Sequence, residues 1–305
     1  MHNRKIAHFA WLTVVLLALT SIANAGPFPY VISYGDSLSD NGNLWAATGH
    51  TTPASPPYYF GRFSDGPVTV EQLTTDLGLS QTHLLDFAYG GAVTGLGPVG
   101  GPPGMLTQLG YSLTLPAVQA VLPSALVVVW GGANDYFQNP AISPTVPVGN
   151  LLGIISTLEA HGATHILVPG MPDLSLTPAY HGVSAAQTFS QQFNADLLAG
   201  LPSGVIYFNT YGFMHSVVGD PSAYGFTNVT MPCLVVPPPP ALPIVCGQPD
   251  QYLFWDNVHP TTTADSFLAA GFEQAVVPEP STFLTVRLPG DAKSTVSARP
   301  WGAPP

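Results

Sequence analysis

Five short apolar runs, at residues 30–34, 84–88, 125–130, 165–169 and 205–209, are the feature that most restricts the folds open to this chain. A strand with one wet face alternates apolar and polar residues, whereas a short run apolar on both parities suits a sheet covered on both faces. Helix-like stretches lie between the runs, at 68–77, 106–122 with an interruption at Pro116, 148–161, 185–199 and 261–276. Strand and helix therefore alternate, which predicts one α/β domain over residues 26–277, a three-layer α/β/α sandwich around a mostly parallel sheet of about five strands.

In such sheets ligands bind beyond the carboxyl ends of the strands. Residues with chemistry gather there: Ser37 follows the first run, Gly90-Gly91 the second, and Asn134 the third. Far along the chain stands Asp256-Asn257-Val258-His259-Pro260. A serine hydroxyl is a poor nucleophile at neutral pH and needs an imidazole in hydrogen-bond reach, with a third group to fix the tautomer. Ser37, His259 and Asp256 can fill these roles. Plainer readings exist for each: Ser37 as a helix N-cap, Asp256 and His259 as the cap of the last helix, and Asn134-Asp135 as a turn. Asp36, Asp40 and Asp135 lack the clustered histidines or loop spacing of a metal site.

Charge narrows the partners. The chain carries 17 acids against 6 bases, a formal charge of −11, and Arg62 is the only Lys or Arg between Gly26 and Val286. Phosphate backbones are bound by many such cations, so nucleic acid is not expected as a partner. Residues 1–25 read as an export signal, with Arg4-Lys5, an apolar stretch at 9–22 too short to span a bilayer as a helix, and Ala23-Asn24-Ala25 as a cleavage site. The two cysteines, Cys233 and Cys246, flank a proline run at 237–240. In an oxidising compartment they would close a disulfide, two buried thiols being the alternative. Glycine and proline concentrate at 95–104 and in the long excursion 227–249, which are expected to form walls of a substrate cleft, or else ordinary surface loops.

Four blocks of sequence resemble the GDSL, or SGNH, hydrolase family, in particular its secreted bacterial lipase/esterase-like branch. They are Gly35-Asp36-Ser37-Leu38-Ser39-Asp40-Asn41-Gly42-Asn43, Asp86-Phe87-Ala88-Tyr89-Gly90-Gly91-Ala92, Gly131-Gly132-Ala133-Asn134-Asp135 and Asp256-Asn257-Val258-His259-Pro260. The resemblance implies an SGNH-type, flavodoxin-like sheet and a Ser37-His259-Asp256 triad. It also implies an oxyanion hole made by the Ser37 and Gly91 N–H groups and the Asn134 amide, with neither metal nor organic cofactor. Three positions depart from the family pattern: Asp65 and Asp86 stand where asparagine is usual, and Asp265 where relatives often carry histidine. Beyond residue 277, Val277-Pro278-Glu279-Pro280-Ser281-Thr282 resembles the start of a PEP-CTERM sorting signal of Gram-negative bacteria. The apolar helix and terminal arginines of such a signal do not follow. Residues 278–305 thus read as a degenerate signal or a proline-rich linker, expected to be disordered.

Three functions fit these observations. The first is an exported serine esterase or lipase acting on a small-molecule, lipid or acylated-glycan ester, in the periplasm, envelope or medium. The second is an O-acetyl esterase of envelope polysaccharide, with exopolysaccharide association. The third is a non-catalytic binding module on a hydrolase scaffold. A long apolar groove would favour acyl chains, and a shallow one with aromatic platforms would favour sugars.

Overall fold

The computed structural model describes residues 27–277 apart from Pro239. The expected export signal at 1–25 and the tail at 278–305 lie outside the described residues. The five apolar runs are five strands: β1 (Val31–Gly35), β2 (Leu84–Asp86), β3 (Leu126–Trp130), β4 (His165–Pro169) and β5 (Ile206–Phe208). They form one sheet in the order β2-β1-β3-β4-β5, every pair parallel.

Successive side chains of a strand point to opposite faces, and here both faces are dry. Ile32, Tyr34, Val127, Val129, Ile166 and Val168 pack on one side, and Val31, Leu126, Val128, Trp130 and Leu167 on the other. The first side is covered by α3 (Met105–Ser112), α4 (Pro116–Val121), α6 (Thr145–Ala160) and α7 (Ser184–Gly200). The second is covered by α2 (Thr69–Asp76) and α9 (Thr262–Val276). All five β3 residues are buried, and each such apolar side chain contributes on the order of 1.5–3 kcal/mol. The three-layer sandwich expected from the sequence is therefore present, with every strand within two residues of its expected place.

Pro116 divides the expected 106–122 helix in two and becomes the first residue of α4, where a missing N–H costs nothing. Three helices have no counterpart in the sequence reading: α1 (Asn43–Ala47), α5 (Ala133–Gln138) and α8 (Thr210–Gly219). Residues 227–249 are not structureless either. They hold β6 (Asn228–Pro232), β7 (Leu234–Val235) and β8 (Ile244–Val245); β6 pairs in parallel with β9 (Tyr252–Phe254), and β7 with β8 as an antiparallel hairpin. Cys233 and Cys246 form the expected disulfide across the base of that hairpin, their Cα atoms 4.8 Å apart.

α2 and α9 meet around Asp265, which is fully buried and accepts hydrogen bonds from Thr69 Oγ1 at 2.6 Å and Ser64 Oγ at 3.2 Å. Burial pushes its carboxyl up to about 8, the two hydroxyls pulling the other way too weakly to offset it. The folded chain thus keeps a proton that the unfolded chain releases near pH 4. The stability this proton provides is complete below about pH 4 and is lost as pH rises toward 8. Asp265→Asn removes the proton while keeping an acceptor and a donor. It is expected to raise stability at pH 8 by on the order of 2 kcal/mol and to leave it unchanged at pH 4. Thermal unfolding at the two pH values checks this; destabilisation at pH 8 would mean that the carboxyl is needed as an anion.

Candidate active site

β1 ends at Gly35, where a Cβ would overlap the Trp130 carbonyl of the neighbouring strand. Buried Gln108 of α3 brackets this residue, accepting from Gly35 N at 3.1 Å and donating to Gly35 O at 2.8 Å. The chain then turns sharply. Asp36 Oδ1 accepts from Leu38 N at 3.1 Å, and the Asp36 carbonyl accepts from the Ser39 and Asp40 N–H groups. Ser37 sits at the tip of this turn, beyond the carboxyl end of the sheet, and caps no helix. Burial pushes the Asp36 carboxyl up to about 6, against the pull of Leu38 N–H.

His259 Nε2 lies 2.8 Å from Ser37 Oγ, and His259 Nδ1 lies 2.7 Å from Asp256 Oδ2. The carboxylate fixes the proton on Nδ1, which leaves Nε2 to accept from the serine. Asp256 Oδ1 accepts from Val258 N at 2.9 Å and His259 N at 2.8 Å. The loop is closed by Trp255 N donating to His259 O at 2.8 Å. Helix α9 has its own cap, Thr261 Oγ1 accepting from Ala264 N, so Asp256 and His259 are not committed to that task. Burial alone would discharge both groups, but their mutual attraction prevails. Asp256 is held below the usual carboxylate range by the His259 charge and hydrogen bond, and then by Tyr58 and Val258 N–H, while His259 is raised by Asp256.

Gly91 and Asn134 are brought to the same place by a lattice of side chains. Asp40 Oδ2 accepts from Gly90 N at 2.7 Å, and a Cβ on Gly90 would overlap the Phe63 ring. From α5, Asn134 Nδ2 donates to Ala92 O at 3.1 Å and Gln138 Nε2 to Gly91 O at 3.1 Å. Asp135 accepts from Thr94 N at 2.9 Å and Thr94 Oγ1 at 2.8 Å. Asp135 is thus a brace between two loops. No three His, Cys, Asp or Glu side chains are gathered for a metal ion among the described residues. Ser37 N–H and Gly91 N–H donate to no other described residue. Ser37, Gly91 and Asn134 line one cleft.

Asp86, where asparagine is expected, acts as an acceptor on both oxygens. Its two oxygens accept from Asn41 N at 3.0 Å and Ala88 N at 3.1 Å. Burial, reinforced by nearby Asp40, raises it well above the usual carboxylate range. Asp65 needs only to accept, from Thr262 N at 2.8 Å. Arg62 is bound to Glu71 through two hydrogen bonds, at 3.1 and 2.6 Å.

The cleft beside Ser37 has a volume of about 200 Å3. Its walls are Trp130, Ala133 and Phe137 at the end of β3 and in α5, Pro172 and Leu174 after β4, Phe213 and Met214 of α8, and Leu253 and Phe254 of β9. Neither 95–104 nor 227–249 contributes a wall residue, contrary to the expectation from their composition. The first folds back on itself through Gly104 N and Thr107 Oγ1, both donating to Leu96 O. The second pairs as a hairpin. Tyr58 and α8 are the components that the sequence reading missed. α8 left a signal in Asn209, whose side chain caps it through Gly212 N at 2.9 Å. Tyr58 left none: its hydroxyl donates to Asp256 Oδ2 at 2.6 Å across 198 positions of sequence.

A parallel sheet in this order, with its polar residues gathered where β1 and β3 diverge, is the fold and site of an α/β hydrolase. Residues 31–272 match the family model of GDSL-like lipases and acylhydrolases, and the chain belongs to that family, whose members hydrolyse ester bonds. Among curated proteins it is 26% identical to a phosphatidylcholine-sterol acyltransferase of Aeromonas hydrophila, covering 85% of this chain and 93% of that one. It is 24% identical to a GDSL esterase/lipase of Arabidopsis thaliana, covering 79% and 87%. Among solved structures, an acetylxylan esterase from Geobacillus stearothermophilus superposes with a TM-score of 0.48 at 13% identity, covering 82% of this chain and 95% of that one.

Tyr58 shares with His259 the same oxygen of Asp256, so it draws off charge that would otherwise stabilise the imidazolium. A histidine that serves as general base must be neutral, so with His259 in that role its raised pKa is expected to place the acid limb of kcat/KM above the ordinary imidazole value of about 6.5. In Tyr58→Phe that limb is expected to move up by on the order of half a pH unit or more, with KM little changed. A uniform fall in kcat with an unmoved limb would show that Tyr58 acts only as packing.

Proposed function

We propose that this protein is an exported serine esterase for carboxylic esters with apolar acyl chains, the cleft beside Ser37 receiving the chain. The observation that carries the reading is the cleft itself, with aromatic and aliphatic walls from four parts of the fold. A polysaccharide would meet few hydroxyl partners there. The similarity to a phosphatidylcholine-sterol acyltransferase, named for an acyl lipid, agrees with this reading. Export is part of the proposal and is supported by the basic, apolar and small-residue segments of 1–25 and by the disulfide.

In this mechanism His259 Nε2 takes the Ser37 proton as Oγ attacks the ester carbonyl, and Asp256 stabilises the imidazolium. The carbonyl oxygen becomes an oxyanion facing Ser37 N–H, Gly91 N–H and the Asn134 amide. When the intermediate collapses, the carbon–oxygen bond to the alcohol breaks and His259 returns its proton to the departing oxygen. Water, deprotonated by His259, then attacks the acyl-enzyme. The acid is released and Ser37 regains its proton.

Two measurements test this. Ser37→Ala is expected to abolish hydrolysis of p-nitrophenyl octanoate, and wild type to favour octanoate over acetate by at least tenfold in kcat/KM, given about 0.8 kcal/mol per buried methylene. A preference for acetate would transfer the assignment to O-acetyl esterase. Asn134→Ala is expected to lower kcat about 10²- to 10³-fold with little change in KM, since its donor matters most when the oxyanion forms. An effect confined to KM would remove Asn134 from the oxyanion hole.

A further inference from the structure

Between Asp220 and Asp250 the chain has no charged side chain, and the hairpin in this stretch has two unlike faces. Its inner face, Cys233 and Leu234, is buried with Trp255, and Tyr58 packs against the same cluster. Its outer face is open and apolar: Val235 and Ile244, paired across the hairpin, are 45% and 62% exposed, and Val236 and Leu242 in the connecting turn 62% and 81%. One exposed leucine means little, but a contiguous group this dense marks a contact surface. These residues do not line the cleft, so substrate does not account for them.

The chemistry of the patch limits what can cover it. A charged partner finds no charge to pair with. β7 and β8 are two residues each, too short an edge to accept a peptide strand, and Pro237, Pro238, Pro240 and Pro243 offer no N–H to a glycan or protein. What remains is an acyl phase. The protein's formal charge is −11 and Arg62 is paired with Glu71, so an anionic surface would repel it. A zwitterionic or uncharged surface would not. The hairpin is also tied to the site: Cys233 N donates to Phe254 O at 3.0 Å and Leu234 N to Trp255 O at 2.6 Å. Phe254 is a cleft wall and Asp256 follows Trp255.

We propose that the disulfide-closed hairpin 233–246 is a docking surface for a zwitterionic or uncharged lipid surface, which it holds beside the cleft. The disulfide keeps the apolar side chains presented outward by denying the loop the freedom to collapse onto itself. The purpose of docking rests on the acyl-ester reading, but its test does not.

The full chain carrying Ser37→Ala, so that no lipid is consumed, is sedimented with phosphatidylcholine vesicles alongside the same chain with Leu242→Asp and Ile244→Asp added. Both proteins have the same termini, so any contribution from residues 9–22 cancels. The expected result is at least a tenfold loss of vesicle partitioning in the variant, and weaker binding of both proteins when phosphatidylglycerol replaces part of the phosphatidylcholine. The same two substitutions on an intact Ser37 are expected to leave p-nitrophenyl acetate hydrolysis within twofold, which reports folding. If that activity is lost, Val236→Asp alone carries the comparison with the same expected direction. Equal partitioning of parent and variant, no partitioning of the parent, or binding only to anionic vesicles would overturn the proposal. So would a dimer in sedimentation velocity that the variant dissolves, which would make the patch a self-interface. Vesicle binding together with failure of wild type to hydrolyse any soluble ester would sustain the docking surface and remove the esterase reading.

Discussion

Four donors converge on Asp256: His259 Nδ1 and the Tyr58 hydroxyl on one oxygen, and the Val258 and His259 N–H groups on the other. A carboxylate withdrawn from water without partners costs several kcal/mol, so it protonates instead. Among the described residues Arg62 is the only Lys or Arg, and it is bound to Glu71. Dipoles and an imidazole take the place of a permanent cation. Where no imidazole bonds to the carboxyl, burial prevails even over several donors: Asp40 is raised although four backbone N–H groups point at it, Asp265 is pushed up to about 8, Asp86 well above the usual range and Asp36 to about 6. Asp173, the other aspartate drawn below its ordinary value, likewise faces a histidine, His215 at 2.9 Å, although burial opposes it. The acids of this interior thus sort by what faces them. Only at Asp256 does that sorting place a lasting negative charge behind an imidazole that touches a serine.

The remaining acids still shape the site, by holding backbone in place. Asp40 fixes Gly90, Asp135 fixes Thr94, and Asp36 fixes the turn after Ser37. In this bound backbone the N–H groups of Ser37 and Gly91 donate to no other described residue, and both residues line the cleft. A polar group left unpaired in this way lowers stability by about 1–3 kcal/mol when buried. In the proposed mechanism such a group costs no reorganisation when an oxyanion forms.

The sheet was legible because its signal is local. A run apolar on both parities has few alternatives, and all five became strands. Ser37 and Asp256-x-x-His259 were legible as neighbours for a related reason, since each follows closely on a strand, β1 and β9, and the structure brings them into hydrogen-bond contact. Tyr58 was not, because its partner is fixed only when the 55–65 segment folds over Trp255. Composition misled at 95–104 and 227–249: glycine and proline announce a loop but do not say where it lies. α8 was missed because Gly212 and Gly219 dilute its apolar face, although Asn209 signals its start. It owes its place to Phe213 and Met214 packing in the cluster shared with β9 and α9.

The disulfide lies in a hairpin outside the cleft, yet it bears on the position of Asp256. β9 has β6 as its only strand partner in the described residues, a pairing with an irregular register. Beyond Phe254 the strand ends, and the backbone of 254–255 is held by Cys233 N and Leu234 N. Those two residues are in turn held by the hairpin, through Cys246 N to Cys233 O at 2.8 Å and through the disulfide itself. Freeing the hairpin would therefore loosen Trp255, and with it the packing of Tyr58, whose hydroxyl needs the Asp256 carboxylate within 2.6 Å. Each of these contacts is modest, on the order of 1 kcal/mol. Charge-assisted hydrogen bonds, however, weaken steeply with misalignment, and the basicity of His259 depends on two of them sharing one oxygen. A cross-link in an apolar surface loop is in this way part of what sets the proton affinity of the imidazole beside Ser37.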